Sequence, residues 1–184
     1  MFSGPWCRPQ TDGPALRSAT LQLYAKTLLE NGEVNYVKTI LVSIIQDDLN
    51  WILSNWSSMG CDLWEEVQSD DFFWIRAAFV YSLDLCEKLF VKLGDSSYAS
   101  QCSSVKATIK GTLDSHWNGD YMFESTIRMK DGAVVHAFSS FGVYPITSYK
   151  VAKTMEVLAD AFCVEFTLNQ VQTNQGISGI LIGR

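Results

Sequence analysis

The sequence is short of the features that mark membrane, nucleic-acid and metal proteins. No apolar run approaches the ~20 residues a bilayer span requires; the longest, at residues 40–45, is broken by Ser43 and ends at Gln46, Asp47 and Asp48. No membrane anchor is therefore expected. Basic residues are outnumbered, 14 against 20 acidic, giving a formal net charge of −6. That sign is wrong for a surface that displaces counterions from phosphate, so no nucleic-acid partner is expected. There are only two histidines, His116 and His136, and the five cysteines (7, 61, 86, 102 and 163) form no Cys-x-x-Cys pair. Zinc and thioredoxin readings lack their ligands, and the cysteines read mostly as buried small apolar residues. Met1 leads into Phe2, Ser3, Gly4 and Pro5 without a basic start or an apolar leader core, so the chain as written carries no signal peptide and would stay inside the cell. Gly-X-Y, low-complexity and solenoid repeats are likewise missing.

What is present is helical periodicity. With 184 residues, 47% of them apolar, the chain is long enough for one compact unit. Asp12-Gly13-Pro14 and Asn31-Gly32 bracket a predicted helix over residues 14–31, with Pro in the first turn and Gly at the stop. Val37, Ile40, Leu41, Ile44, Ile45, Leu49, Ile52, Leu53 and Trp56 recur at steps of three and four and predict a helix over 34–56. Residues 72–93 are apolar almost all round, so that helix should be buried on several sides. Ser96 and Ser97 are suited to cap a fourth helix, which runs through Tyr98, Cys102, Val105, Ile109 and Leu113 towards Trp117 and pairs with the third through a short turn. Residues 118–148 read as a long irregular stretch with one short element at 133–138. Val151, Met155, Leu158, Phe162 and Phe166 mark a fifth helix, followed by a glycine-spaced apolar tail from 176 to 184. The predicted class is all-α.

Two loops collect the polar and aromatic groups. In Gly60-Cys61-Asp62-Leu63-Trp64-Glu65-Glu66-Val67 three carboxylates flank one tryptophan. If this segment is helical, Asp62 and Glu65 lie ~5–6 Å apart at their Cβ atoms, and each charge disfavours ionisation of the other, which suits a general acid. Solvated acidic residues at a helix start fit the same spacing. The second loop, Gly4-Pro5-Trp6-Cys7-Arg8-Pro9-Gln10-Thr11-Asp12-Gly13-Pro14, offers an indole, a guanidinium, an amide and a carboxylate, groups that suit a ligand rich in hydroxyls. A structural turn with Arg8 paired to Asp12 is the alternative. Gln46-Asp47-Asp48-Leu49-Asn50 and Asp70-Asp71 do not complete an Asp-Asp-x-x-Asp magnesium motif. Gly176, Gly179 and Gly183 lack the Lys-Ser/Thr of a phosphate loop.

The run from Trp6 to Arg17, followed some fifty residues later by Asp62-Leu63-Trp64-Glu65-Glu66-Val67, resembles the fungal glucoamylases of glycoside hydrolase family fifteen. The resemblance continues through Phe72-Phe73 to Ile182-Gly183-Arg184, which looks like the start of a Gly-Arg-Tyr-Pro motif. It implies part of an (α/α)6 toroid of helical hairpins, a single partial catalytic domain over 1–184 with N- and C-terminal parts of the barrel missing. The activity implied is hydrolysis of terminal α-1,4-glucosidic bonds of starch, glycogen or maltooligosaccharide, releasing glucose with inversion. By position, Glu65 matches the general acid and Asp62 the nearby site carboxylate. Trp64 and Glu66 match pocket residues, Trp6 the indole that packs against substrate, Arg8 the same substrate-facing loop, and Arg184 an arginine that binds the non-reducing sugar. The resemblance further implies no cofactor and no metal, and a monomeric, secreted or vacuolar parent. The chain departs from the pattern at Cys7, where Gly is usual, at Cys61, where an aromatic is usual, and at Met59, where Ser, Thr or Asn is usual. A side chain at 7 would crowd a backbone of positive φ. The segments carrying a substrate-binding Arg-Asp pair and the catalytic base have no counterpart here, so exposed apolar faces are expected where other helices would pack. The alternative function is a catalytically dead helical remnant that binds glucan or a protein partner.

Overall fold

The computed structural model describes residues 6–174 and 179–183, the side chains of 171–174 excepted. Its elements are α1 (Gly13–Glu30), α2 (Val34–Tyr36), a π-helical turn (Val37–Leu41), α3 (Val42–Asn55), β1 (Gly60–Cys61), β2 (Gln68–Ser69), α4 (Phe73–Leu93), α5 (Ser96–Leu113), a 3-10 turn (Asp114–His116), α6 (Gly132–Phe141), α7 (Tyr149–Glu165) and α8 (Thr167–Asn174). The all-α expectation holds, the lone sheet among the described residues being a two-stranded hairpin.

α4 is the centre. Phe73, Ile75, Ala77, Phe79, Leu83, Cys86 and Phe90 are buried around its whole circumference, as its unbroken apolar character requires. α5 returns along it after Gly94, which stops α4 in the left-handed conformation at φ 88°. α1 and α3 cover a second side through Ala15, Ala25, Ile45, Leu49 and Ile52, and α6 covers a third. Each fully buried Phe, Leu or Ile in this core contributes ~1.5–3 kcal/mol. Polar contacts fix the register of α1: Ser18 and Ser82 share a 2.6 Å hydrogen bond, and Arg17 Nε donates to Asp48 Oδ2 at 2.7 Å.

Several local expectations are corrected. Asp12 sits at the N-cap of α1, yet its carboxylate makes no cap bond and instead accepts the Trp74 indole N–H at 2.8 Å. α5 is capped by Asp95, whose side chain accepts from Tyr98 N, rather than by Ser96 or Ser97. The 34–56 helix is continuous but widens into the π turn at its second and third turns. The 133–138 element is the full α6, capped by Asp131 and ended by Gly142 at φ 58°. α8 was not anticipated from the tail.

The cysteines are the larger correction. Cys7 is bonded to Cys61 across 54 residues, and Cys86 to Cys102 across 16; only Cys163 of the five is a free thiol. On chain-entropy grounds the two bridges remove about 4 and about 3 kcal/mol of unfolded-state freedom. Cys7 is not in the positive-φ region, so the anticipated crowding does not arise.

Tyr36, Ile40 and Ile44, at steps of four, form an apolar stripe 44%, 46% and 44% exposed. No helix among the described residues is long and apolar enough to cross a membrane, and none of their His, Cys, Asp and Glu side chains group in threes to hold a metal ion.

Candidate active site

The segment 60–69 is a hairpin, not a helix. Gly60 faces Ser69 and Cys61 faces Gln68, and the connection is folded about Asp62. Its carboxylate Oδ1 accepts the backbone N–H groups of Glu66 (2.7 Å) and Val67 (3.0 Å), and its own N–H donates to the Val67 carbonyl at 3.1 Å. The Glu65 N–H closes a turn onto the Asp62 carbonyl at 3.0 Å. Glu65 emerges with φ 60°, the one non-glycine residue among those described in the left-handed region. That conformation costs an L-residue about 1–2 kcal/mol and is held by the surrounding bonds. Gly60 is required because a Cβ there would lie 2.1 Å from Thr11 Oγ1.

Residues 6–10 form a strap across this hairpin. Cys7 N–H donates to the Glu65 carbonyl and Cys61 N–H to the Pro9 carbonyl, both at 3.0 Å. Gln10 Nε2 reaches the Asp62 carbonyl at 3.1 Å, and Gln68 Nε2 the Arg8 carbonyl at 2.7 Å. The strap brings Arg8 Nη1 to 2.7 Å from Glu65 Oε2 and its guanidinium to 4.9 Å from the centre of the Trp6 ring. Arg8 thus pairs with Glu65 rather than Asp12. The Glu65 side chain is 27% exposed, and Trp6 is 57% exposed. An exposed guanidinium and an exposed indole face therefore form a rim over a carboxyl whose Oε2 is enclosed.

Beside the rim lies a network that sequence reasoning missed. Arg128 Nη2 is 2.6 Å from Glu66 Oε2 and 3.5 Å from Asp62 Oδ2, and Nη1 is 4.0 Å from Asp131 Oδ2. One cation thus serves three carboxylates. Asp131 caps α6 through Ala133 N–H at 2.8 Å and accepts the Trp64 indole N–H at 2.8 Å. Asp131 and Asp12 are pushed above the usual carboxylate range, chiefly by burial. Asp62 is buried too, so the structure places it under the loop and Glu65 on the rim. No local signal pointed to Arg128 or Asp131, which sit in a stretch without helical periodicity. Arg184 lies outside the described residues; its neighbour Gly183 accepts from Gly132 N–H at 2.5 Å, at the start of α6 beside Asp131.

Deeper still, Glu124 is fully buried, its carboxyl oxygens accepting the Trp74 N–H at 3.2 Å at the start of α4. Burial, reinforced by Asp131, Asp62 and Asp71, holds it well above the ordinary value of 4.5. A carboxyl raised on folding stabilises fully below its unfolded pKa, and that contribution is lost as pH rises towards the folded value. Glu124→Gln is therefore expected to flatten part of the stability profile. Measured as the difference from wild type in denaturant unfolding, its relative stability should rise above pH 4.5, by up to roughly 1 kcal/mol per pH unit. The difference cancels His116, whose burial depresses its pKa and whose contribution is lost as pH falls. A pH-independent difference would contradict the buried protonated carboxyl.

Helical hairpins that present a carboxyl, an indole and a guanidinium together fit the class of helical glycoside hydrolases. The chain belongs to that class's family of "Glycosyl hydrolases family 15", whose model matches residues 1–184. It is similar to Glucoamylase P of Amorphotheca resinae, 32% identical over 197 residues that cover 96% of this chain and 30% of that protein. Against Glucoamylase-1 of Schizophyllum commune it is 38% identical over 121 residues, covering 65% of this chain and 20% of that one. The solved glycoside hydrolase family 15 glucoamylase from Hypocrea jecorina superposes with a TM-score of 0.80 at 30% identity, over 92% of this chain and 30% of that structure. The fold is accordingly part of an (α/α)6 toroid. The chain spans less than a third of the length of these relatives.

Proposed function

We propose that this chain is part of a glucoamylase, which hydrolyses terminal α-1,4-glucosidic bonds of starch, glycogen or maltooligosaccharide from non-reducing ends and releases glucose with inversion. Glu65 is the general acid that protonates the glycosidic oxygen. Trp6 supplies a stacking face, and Arg8 donates to sugar hydroxyls and keeps the Glu65 carboxyl oriented. Asp62, which the resemblance puts in the site, acts by holding the turn that presents Glu65. Trp64 and Glu66 fix the floor through Asp131 and Arg128, and Arg184 is assigned to the non-reducing sugar from the resemblance alone. The single observation that carries the reading is the convergence of Trp6, Arg8 and Glu65 from two distant loops onto one rim. The second carboxylate of an inverting mechanism is assigned to a segment beyond 1–184, which makes this chain one part of a catalytic domain that works as a monomer. Two disulfides support an oxidising, extracellular compartment.

The test is calorimetry with maltotriose. The chain should bind it, and Trp6→Ala should weaken binding about tenfold, or ~1.4 kcal/mol. Equal affinities would remove Trp6 from the site, and no binding by either protein would defeat the sugar reading.

A further inference from the structure

Two of the three rim groups are not held by burial. Trp6 and the Arg8 side chain are more than half exposed, and Glu65 occupies a backbone conformation it would leave if free to do so. What holds them is the strap, and the strap is tied to the hairpin by four hydrogen bonds and one covalent bond, Cys7–Cys61. Cys7 lies one residue from both Trp6 and Arg8 and donates its N–H to the carbonyl of Glu65; Cys61 adjoins Asp62. The bond thus joins the two loops at the point where all three rim groups originate. Cys86–Cys102 has a different setting: both cysteines are fully buried between α4 and α5, two helices that core packing already holds together.

We propose that Cys7–Cys61 is the positioning bond of the site: it holds Arg8 and Trp6 over Glu65 and keeps Glu65 in its left-handed turn. The proposal rests on the reading of this rim as the sugar site. Opening the bond costs ligand affinity before it costs the fold. The bond is also the more reducible of the two, because Cys7 is half-buried, although Cys61 is enclosed, whereas both cysteines of the other bridge are enclosed. With a dithiol reductant, thiolate attack breaks the S–S bond through a mixed disulfide. The reductant leaves as a cyclic disulfide, and its two electrons and two protons appear as the Cys7 and Cys61 thiols.

The experiment compares the oxidised chain, the chain treated with dithiothreitol under native conditions, Cys7→Ala/Cys61→Ala and Cys86→Ala/Cys102→Ala. Readouts are maltotriose affinity, amide hydrogen exchange and thermal melting. Mild reduction is expected to add two thiols to that of Cys163. It should weaken maltotriose binding about tenfold or more and speed exchange at the Cys7 and Glu65 amides, while α4 and α5 amides keep their protection. Reoxidation should restore affinity. Cys7→Ala/Cys61→Ala should behave as the reduced chain, and Cys86→Ala/Cys102→Ala should melt lower with affinity retained. Unchanged affinity and exchange after the Cys7–Cys61 bond is opened would overturn the proposal. If the oxidised chain binds no maltotriose, the sugar reading fails on its own, and exchange at Glu65 still decides whether the bond positions the turn.

Discussion

Glu65→Gln is expected to lower the rate of glucose release from maltose by about 10²–10⁴-fold, the range a positioned proton donor supplies. Gln keeps the size of the side chain and an oxygen for Arg8 Nη1, which lies 2.7 Å from the carboxylate in the wild type, so the loop should persist while the proton is lost. Inverting hydrolysis also needs a carboxylate about 6.5–9.5 Å from the acid to activate water. The assay therefore includes formate at molar concentration as an external base. A second substrate isolates the proton-donor role. α-Glucosyl fluoride has a leaving group that needs little protonation, so wild type and Glu65→Gln should hydrolyse it at similar rates while differing on maltose. Equal rates on maltose would remove Glu65 from the acid role. A parallel loss on both substrates would assign it to positioning instead.

The helices were readable because their burial is local and periodic. Ile45, Leu49 and Ile52 mark the buried face of α3, and Gly32 and Gly94 end α1 and α4 in positive φ, where a helix-ending glycine is favoured. α6 was foreshortened because its largely apolar run, Ala133 to Phe138, is brief and flanked by Gly132 and Ser139. The π turn at Val37–Leu41 leaves the spacing of apolar residues almost unchanged, so periodicity passes over it. The site was legible as a motif and not as a geometry. Trp64 and Glu65 are adjacent in sequence, yet the indole goes down to Asp131 and the carboxyl goes up to Arg8. The left-handed backbone of Glu65 itself causes that divergence, and nothing in residue type announces it. The Cys7–Cys61 pairing was invisible for a further reason: with five cysteines, connectivity depends on tertiary proximity across 54 residues. Two of the three positions that depart from the family pattern, 7 and 61, turn out to be partners.

The same geometry makes Asp62 the most demanding position for stability. Asp62→Ala should destabilise the chain by about 2–4 kcal/mol, because it orphans two buried backbone donors. The donors are the N–H groups of Glu66 and Val67; Arg128 loses one carboxylate neighbour but keeps Glu66 at 2.6 Å. Asp62→Asn retains one oxygen for the two amides but turns an N–H₂ towards Arg128, so it should lose about 1–2 kcal/mol. Guanidinium unfolding measures both. The functional consequence follows from the turn. Without Asp62 Oδ1 the hairpin no longer compensates the strain at Glu65, which relaxes to an extended backbone and swings its carboxyl away from Arg8. Asp62→Asn, which keeps the turn, should keep maltotriose binding, whereas Asp62→Ala should lose it even at temperatures where its helices remain folded. An Asp62→Ala chain within 1 kcal/mol of wild type would show that the hairpin is held by the strap alone, and the buried carboxylate would then need another role.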